Sequence, residues 1–168
     1  MILFGLAGWS GAGKTTLMVH LVSILTERGL TVSTVKHAHH GFDIDKPGKD
    51  TFRHREAGAA QVMVASSRRW ALMTEIAGER EPTMDELVAH MAPADLVLVE
   101  GFKTYPHDKI EIHRPSLGKP RLPADSTIVA VASDEPLAET RLPRLDLNRP
   151  VLIADFILER TGLSPTRR

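Results

Sequence analysis

A chain of 168 residues with 42% hydrophobic and 25% charged residues has ordinary globular composition and the length for one full core. Its 21 basic residues balance 21 acidic ones, so no global field favours nucleic acid or an anionic membrane, and the lack of cysteine excludes disulfides, thiolate-bound iron–sulfur clusters and thiol catalysis. No stretch reaches the roughly 18 apolar residues of a membrane span. The apolar N-terminus carries no basic region and leads straight into a glycine-rich loop, so it is expected to be a strand rather than a signal peptide, in a cytoplasmic protein.

That first strand, Ile2 to Ala7, is followed by Gly8-Trp9-Ser10-Gly11-Ala12-Gly13-Lys14-Thr15 and then Thr16-Leu17. The pattern is GxxxxGKT, the phosphate-binding P-loop, set between an apolar run and an amphipathic one as the motif requires. Its glycines let the backbone approach an anion, so that amides from Ser10, Gly11, Ala12 and Gly13 through Thr16 cradle phosphates at the positive end of a helix. Lys14 is placed to reach the β and γ phosphates, and the Thr15 hydroxyl to ligate a magnesium ion.

The helix is expected from Lys14 to Arg28, with Leu17, Leu21, Ile24 and Leu25 on its inner stripe and Gly29 as its stop. Thr31 to Val35 reads as a second parallel strand. After it comes a polar segment, residues 36–50, at the strand's carboxyl end, where open parallel sheets bind ligands. His37, His39 and His40 invite a metal reading, but the cluster lacks the paired ligands of a structural zinc site, and anion contacts or a solvated loop are the alternatives. Asp43, Asp45 and Asp50 could ligate magnesium or position water, or could balance Lys46, Lys49 and Arg53.

A short helix is expected from Asp50 to Ala60, capped by Asp50 or Thr51. Gln61–Ala65 and Trp70–Thr74 are β-prone runs around Ser66-Ser67-Arg68-Arg69 and predict a hairpin, whose exposed edge a second subunit is one way to cover. Trp70 reads as core or interface. Thr83 and Glu86 have capping-box spacing at the head of a helix running to Met91. Asp95-Leu-Val-Leu-Val-Glu100 is a strand buried on both faces, and Glu100 falls where a P-loop protein keeps its magnesium-serving carboxylate. Gly101-Phe102-Lys103 follows on the same rim.

Lys109 to His113 alternates as a further strand, and Pro115, Pro120 and Pro123 impose a loop. Thr127 to Ala132 is another buried strand. Asp134 beyond it either pairs with a nucleobase edge or caps a short helix begun by Pro136. The last helix runs from Pro150 to Arg160 with Leu152, Ile153, Phe156 and Ile157 inward, and Gly162 stops it. The sum is an α/β fold, a three-layer P-loop NTPase with a mainly parallel sheet and an added β-hairpin, as one domain over residues 1–168.

Four stretches, GWSGAGKTTL at 8–17, VKHAHHGFDIDKPGKDTFRHREAGA at 35–59, DLVLVEGFK at 95–103 and the VASD run ending at Asp134, resemble the molybdopterin-guanine dinucleotide biosynthesis protein B family. The resemblance implies a homodimer that binds GTP with magnesium, hydrolyses it slowly, and serves as an adaptor for the guanylyltransferase of molybdenum cofactor maturation. It leaves open whether molybdopterin or the molybdenum cofactor is touched directly. Carried over by position, Gly11 to Thr16 hold phosphates, Thr15 and Glu100 serve magnesium, and the 37–50 loop lines the site. Lys14, Glu100 and Asp45 are the candidate catalytic residues. No NKxD guanine-reading motif is present, and no arginine is obviously placed as a finger, with Arg53, Arg55 and Arg68 as candidates. Turnover would need a water in line with the γ phosphate and charge stabilisation by Lys14, amides and magnesium, and without a strong finger it should be slow. The competing reading is a small-molecule kinase using ATP, which the lack of an arginine-rich lid disfavours.

Overall fold

Leu96-Val97-Leu98-Val99 is buried on both sides, as a strand inside a parallel sheet must be. The structure is a computed structural model that describes residues 1–38, 42–78, 80–137 and 140–165. Its elements are β1 (Ile2–Ala7), α1 (Lys14–Glu27), β2 (Val32–Lys36), α2 (Asp50–Glu56), β3 (Gln61–Ala65), β4 (Trp70–Thr74), α3 (Met84–Ala89), β5 (Leu96–Glu100), β6 (Lys109–His113), β7 (Ile128–Ser133), β8 (Arg144–Asp146) and α4 (Pro150–Thr161). They fall into two compact units, one formed by Met1–His37 with Met91–Arg168, the other by Ala38–His90.

In the first unit six strands pair in the order β2-β5-β1-β6-β7-β8, all of them parallel. This is the expected α/β P-loop sheet, and its order decides what surrounds the glycine-rich loop. β5 flanks β1 on one side with Leu6 opposite Glu100, and β6 flanks it on the other with Ala7 opposite Glu111. Alternate residues of the strands, Phe4, Leu6, Leu96, Leu98, Ile110, Ile112, Ala130 and Ala132, meet Leu17, Leu21 and Leu25 of α1 and Ile153, Ile157 and Leu158 of α4 in one core. Burying each such side chain stabilises the fold by roughly 1.5–3 kcal/mol.

β6 keeps the expected alternation but not an exposed face. Ile110 and Ile112 enter the core, while Lys109, Glu111 and His113 point the other way and are buried as well. Such burial requires partners. Lys109 Nζ donates to the Tyr105 carbonyl at 2.6 Å, the His107 carbonyl at 3.0 Å and the Thr127 hydroxyl at 2.8 Å. Glu111 accepts from Arg121 at 2.8 Å and from the Leu122 amide at 2.7 Å.

Several boundaries differ from the sequence expectation for identifiable reasons. The second strand is Val32–Lys36, shifted by one residue because its ladder extends to Lys36 opposite Glu100. In α4 the inner stripe is Ile153, Ala154, Ile157 and Leu158, whereas Leu152 is 41% exposed and Phe156 is half-buried. Two adjacent stripes satisfy the same periodicity, and the neighbouring sheet selects between them. β8, three residues with two charged, carries no strand pattern and forms by pairing with β7. No helix begins at Pro136 within residues 134–137, so Asp134 is not a helix cap.

In the second unit β3 and β4 pair antiparallel from Gln61 opposite Thr74 to Ala65 opposite Trp70, as a two-stranded sheet of their own. α2 ends at Glu56, short of Ala60, and its cap is Lys49 rather than Asp50 or Thr51. At α3 the Thr83–Glu86 capping box forms in both directions.

Candidate functional site

The loop that leaves β1 turns into α1 at Gly13, whose left-handed φ of 96° a side-chain-bearing residue adopts poorly. A Cβ there would also come within 3.3 Å of the Arg114 guanidinium. Lys14 folds over the loop, with Nζ donating to the Gly8 carbonyl at 3.1 Å and the Trp9 carbonyl at 2.9 Å. Burial pushes its pKa below the usual lysine value; Glu100 opposes that push, and Lys103 and Lys36 add to it. A partly desolvated ammonium with two further lysines near it is suited to a dense negative charge. The Trp9 indole donates to the Pro120 carbonyl at 2.7 Å, and Lys103 Nζ lies 5.5 Å from the centre of the Trp9 ring.

Thr15 and Glu100 lie side by side. The Thr15 hydroxyl is 3.1 Å from each carboxylate oxygen of Glu100, and Lys36 Nζ stands 3.7 Å from Oε1. A hydroxyl oxygen beside a mostly buried carboxylate is the hard-oxygen pairing that magnesium takes, usually with waters and substrate phosphates completing its shell. The turn behind Glu100 is held tightly. The His37 amide donates to the Glu100 carbonyl at 2.8 Å. Gly101 has φ of 98° and a Cβ on it would sit 2.6 Å from that of His37, while Phe102 adopts φ of 45°, uncommon for a bulky residue.

On the other flank of the loop stands a residue that sequence reasoning passed over. Arg114 directly follows β6, and its Nε donates to the Ala12 carbonyl at 3.0 Å while Nη1 is bonded to Asp134 Oδ2. Asp134 is therefore committed to a guanidinium, and its second oxygen, Oδ1, is buried without a hydrogen-bond partner. The available signal was position: a basic residue immediately after a strand that borders β1.

Asp45 belongs to the second unit, where Arg55 gathers three carboxylates. Arg55 reaches Asp45 Oδ2 at 3.3 Å, Asp43 at 2.8 Å and Glu75 at 3.1 Å, and Asp45 Oδ1 lies 3.0 Å from Nη2 without hydrogen-bond alignment. Of the finger candidates, Arg55 is thus held by acids, Arg53 is exposed, and Arg68 sits in the hairpin turn, its amide bonded to the Ser66 hydroxyl. His39 and His40 lie outside the described residues. Among the described residues no three His, Asp or Glu side chains are placed to hold one metal ion.

A parallel sheet with a glycine-rich loop after its central strand, a lysine over that loop and a threonine–glutamate pair beside it define an α/β protein of P-loop fold. The family model for molybdopterin guanine dinucleotide synthesis protein B matches residues 3–134, and the chain belongs to that family. It is 46% identical to the molybdopterin-guanine dinucleotide biosynthesis adapter protein of Escherichia coli (strain K12), over 94% of this chain and 91% of that one. With the adapter protein of the same description from Haemophilus influenzae the identity is 45%, over 92% and 86%. The crystal structure of the MobB homolog from Bacillus stearothermophilus superposes with a TM-score of 0.69 at 26% identity, covering 98% of this chain and all of that one. That of Bacillus subtilis MobB, at 24% identity and 95% and 98% coverage, shares the fold with a TM-score of 0.76.

Proposed function

We propose that the chain is an adaptor protein of molybdopterin guanine dinucleotide biosynthesis that binds GTP with magnesium and hydrolyses it weakly, assisting the guanylyltransferase that installs the guanine nucleotide. Relatives of 45–46% identity carry the adapter description over nearly the whole length of this chain, which supports the pathway role. The nucleotide reading is carried by one observation, the meeting of Lys14, Thr15 and Glu100 at the loop between β1 and α1.

In this reading the amides from Ser10 to Thr16 and the Lys14 ammonium hold the phosphates. Thr15 and Glu100 would hold magnesium, which would supply charge neutralisation for the phosphates. Glu100 orients the attacking water. Arg114, the arginine described beside the loop, is ion-paired with Asp134, which fits slow turnover. Asp134 contributes through Arg114.

The homodimer reading is supported by the hairpin. Met63 stands opposite Leu72 and Ala65 opposite Trp70 on one face, and Met63, Leu72 and Trp70 are 61, 37 and 63% exposed. Paired apolar side chains in water of that kind mark an interaction surface. A Trp70→Glu chain that sediments like the unaltered protein would remove this support. Cytoplasmic location follows from the proposed pathway role, and no described helix is long and apolar enough to cross a membrane. Calorimetric titration with GTP and ATP, each with and without magnesium, tests the nucleotide reading. Magnesium-dependent GTP binding is expected, and preference for ATP with phosphate transfer to a small acceptor would favour a kinase instead.

A further inference from the structure

A GTP site needs something that tells guanine from adenine, and the sequence holds no NKxD motif. We propose that Arg114 is the guanine-selecting residue, its guanidinium donating to O6 and N7 of the base, with Asp134 as the positioning residue behind it. The inference rests on the GTP reading above.

Direction comes first. Thr15 and Glu100 mark the metal end of the site, on the β5 side of β1. A phosphate chain gripped by the loop and leaving that end runs toward the opposite flank, where β6 and β7 terminate in Arg114 and Asp134. These two residues stand where the nucleoside emerges.

Arg114 is also fixed in place. Its Nε–H is held by the Ala12 carbonyl and one Nη1–H by Asp134, so the plane of the guanidinium is set while three of its five N–H donors remain. The side chain is 34% exposed, so that edge can be reached. Asp134 has Oδ2 engaged by Arg114 and Oδ1 buried, so its carboxylate is turned toward Arg114. Its charge balances Arg114 and holds it in one orientation.

Base chemistry supplies the selectivity. Guanine offers two acceptors, O6 and N7, to a forked donor, whereas adenine sets its N6 amino group against the same donors. Hypoxanthine has the guanine edge and lacks only the 2-amino group, which an arginine reading O6 and N7 does not sense. Carboxylate recognition of N1–H and the 2-amino group would sense it. An arginine that merely braces the loop or touches phosphate would not separate the bases at all.

The test is titration of the full chain with GTP, ITP and ATP in the presence of magnesium, repeated with Arg114→Gln and Asp134→Ala. The unaltered protein should bind GTP and ITP within about threefold of each other and ATP at least about tenfold more weakly. Arg114→Gln should weaken GTP and ITP by roughly tenfold or more and leave ATP nearly unchanged, and Asp134→Ala should erode the same discrimination. ITP binding as weakly as ATP, or Arg114→Gln weakening all three alike, overturns the assignment while leaving the P-loop reading intact. Failure of the unaltered protein to bind any of the three removes the GTP reading itself. Should the Arg114 variant not fold, the comparison of ITP with ATP on the unaltered chain decides alone.

Discussion

The Thr15 hydroxyl lies 3.1 Å from both carboxylate oxygens of Glu100, 85 residues along the chain, because β1 and β5 are neighbouring parallel strands with Leu6 opposite Glu100. Strand order, not loop sequence, brings a hard-oxygen pair to the mouth of the P-loop. Glu100→Gln keeps the acceptor for Thr15 and removes the charge. Magnesium-dependent binding of GTP should fall by about tenfold in this variant, with metal-free binding little changed. Equal losses with and without magnesium would place Glu100 outside the metal's surroundings.

Gly101→Ala should destabilise the protein by about 1–3 kcal/mol, since it adds a Cβ 2.6 Å from that of His37 to a backbone at φ of 98°. The same change disturbs the turn that holds Glu100, so GTP turnover should drop along with the urea midpoint. A variant as stable as the parent would show that the turn relaxes freely.

The loop, its lysine and the strand that ends in Glu100 were legible in the sequence because each signal is local: a motif, a helical stripe and four apolar residues in a row. Arg114 was not, since its role depends on β6 lying next to β1 and on Asp134, 20 residues later, ending the next strand. Asp45 illustrates the converse. An acidic residue in a polar loop looks free in sequence, yet Arg55 ten positions on engages it. The alternation of Lys109 to His113 marks a strand, but the burial of its polar face is not legible, because Tyr105, Arg121 and Thr127, which bond it, carry no pattern of their own.

Arg121→Ala should cost about 3–5 kcal/mol in chemical denaturation, because it leaves the Glu111 carboxylate, which is 1% exposed, without its counter-charge and with the Leu122 amide as its remaining described partner. Changing both residues to methionine should recover much of that loss. If the single and double variants are equally unstable, packing around Arg121, not its charge, is what matters.

His107 sets a pH dependence. Burial, with the Lys109 charge adding to it, lowers its pKa to about 4 against an ordinary 6.5, although the Tyr105 backbone and Asp108 act in the opposite sense. Both ring nitrogens are buried without hydrogen-bond partners. The unfolded chain therefore binds this proton more readily, so the stability it contributes is complete above pH 6.5 and is lost as pH falls toward 4. The loss should be on the order of 3 kcal/mol by pH 4, and His107→Phe should lack that share of the slope. Parallel stability profiles for the two proteins between pH 7 and 4 would exclude it.

The central claim is that the loop from Gly8 to Thr15 grips the phosphates of GTP with Lys14 as its cation, and calorimetric titration of magnesium-GTP into the unaltered chain and Lys14→Ala tests it most directly. Saturable binding is expected for the first and binding weaker by roughly a hundredfold, or none, for the second. Equal affinity and equal hydrolysis in the two proteins would contradict it.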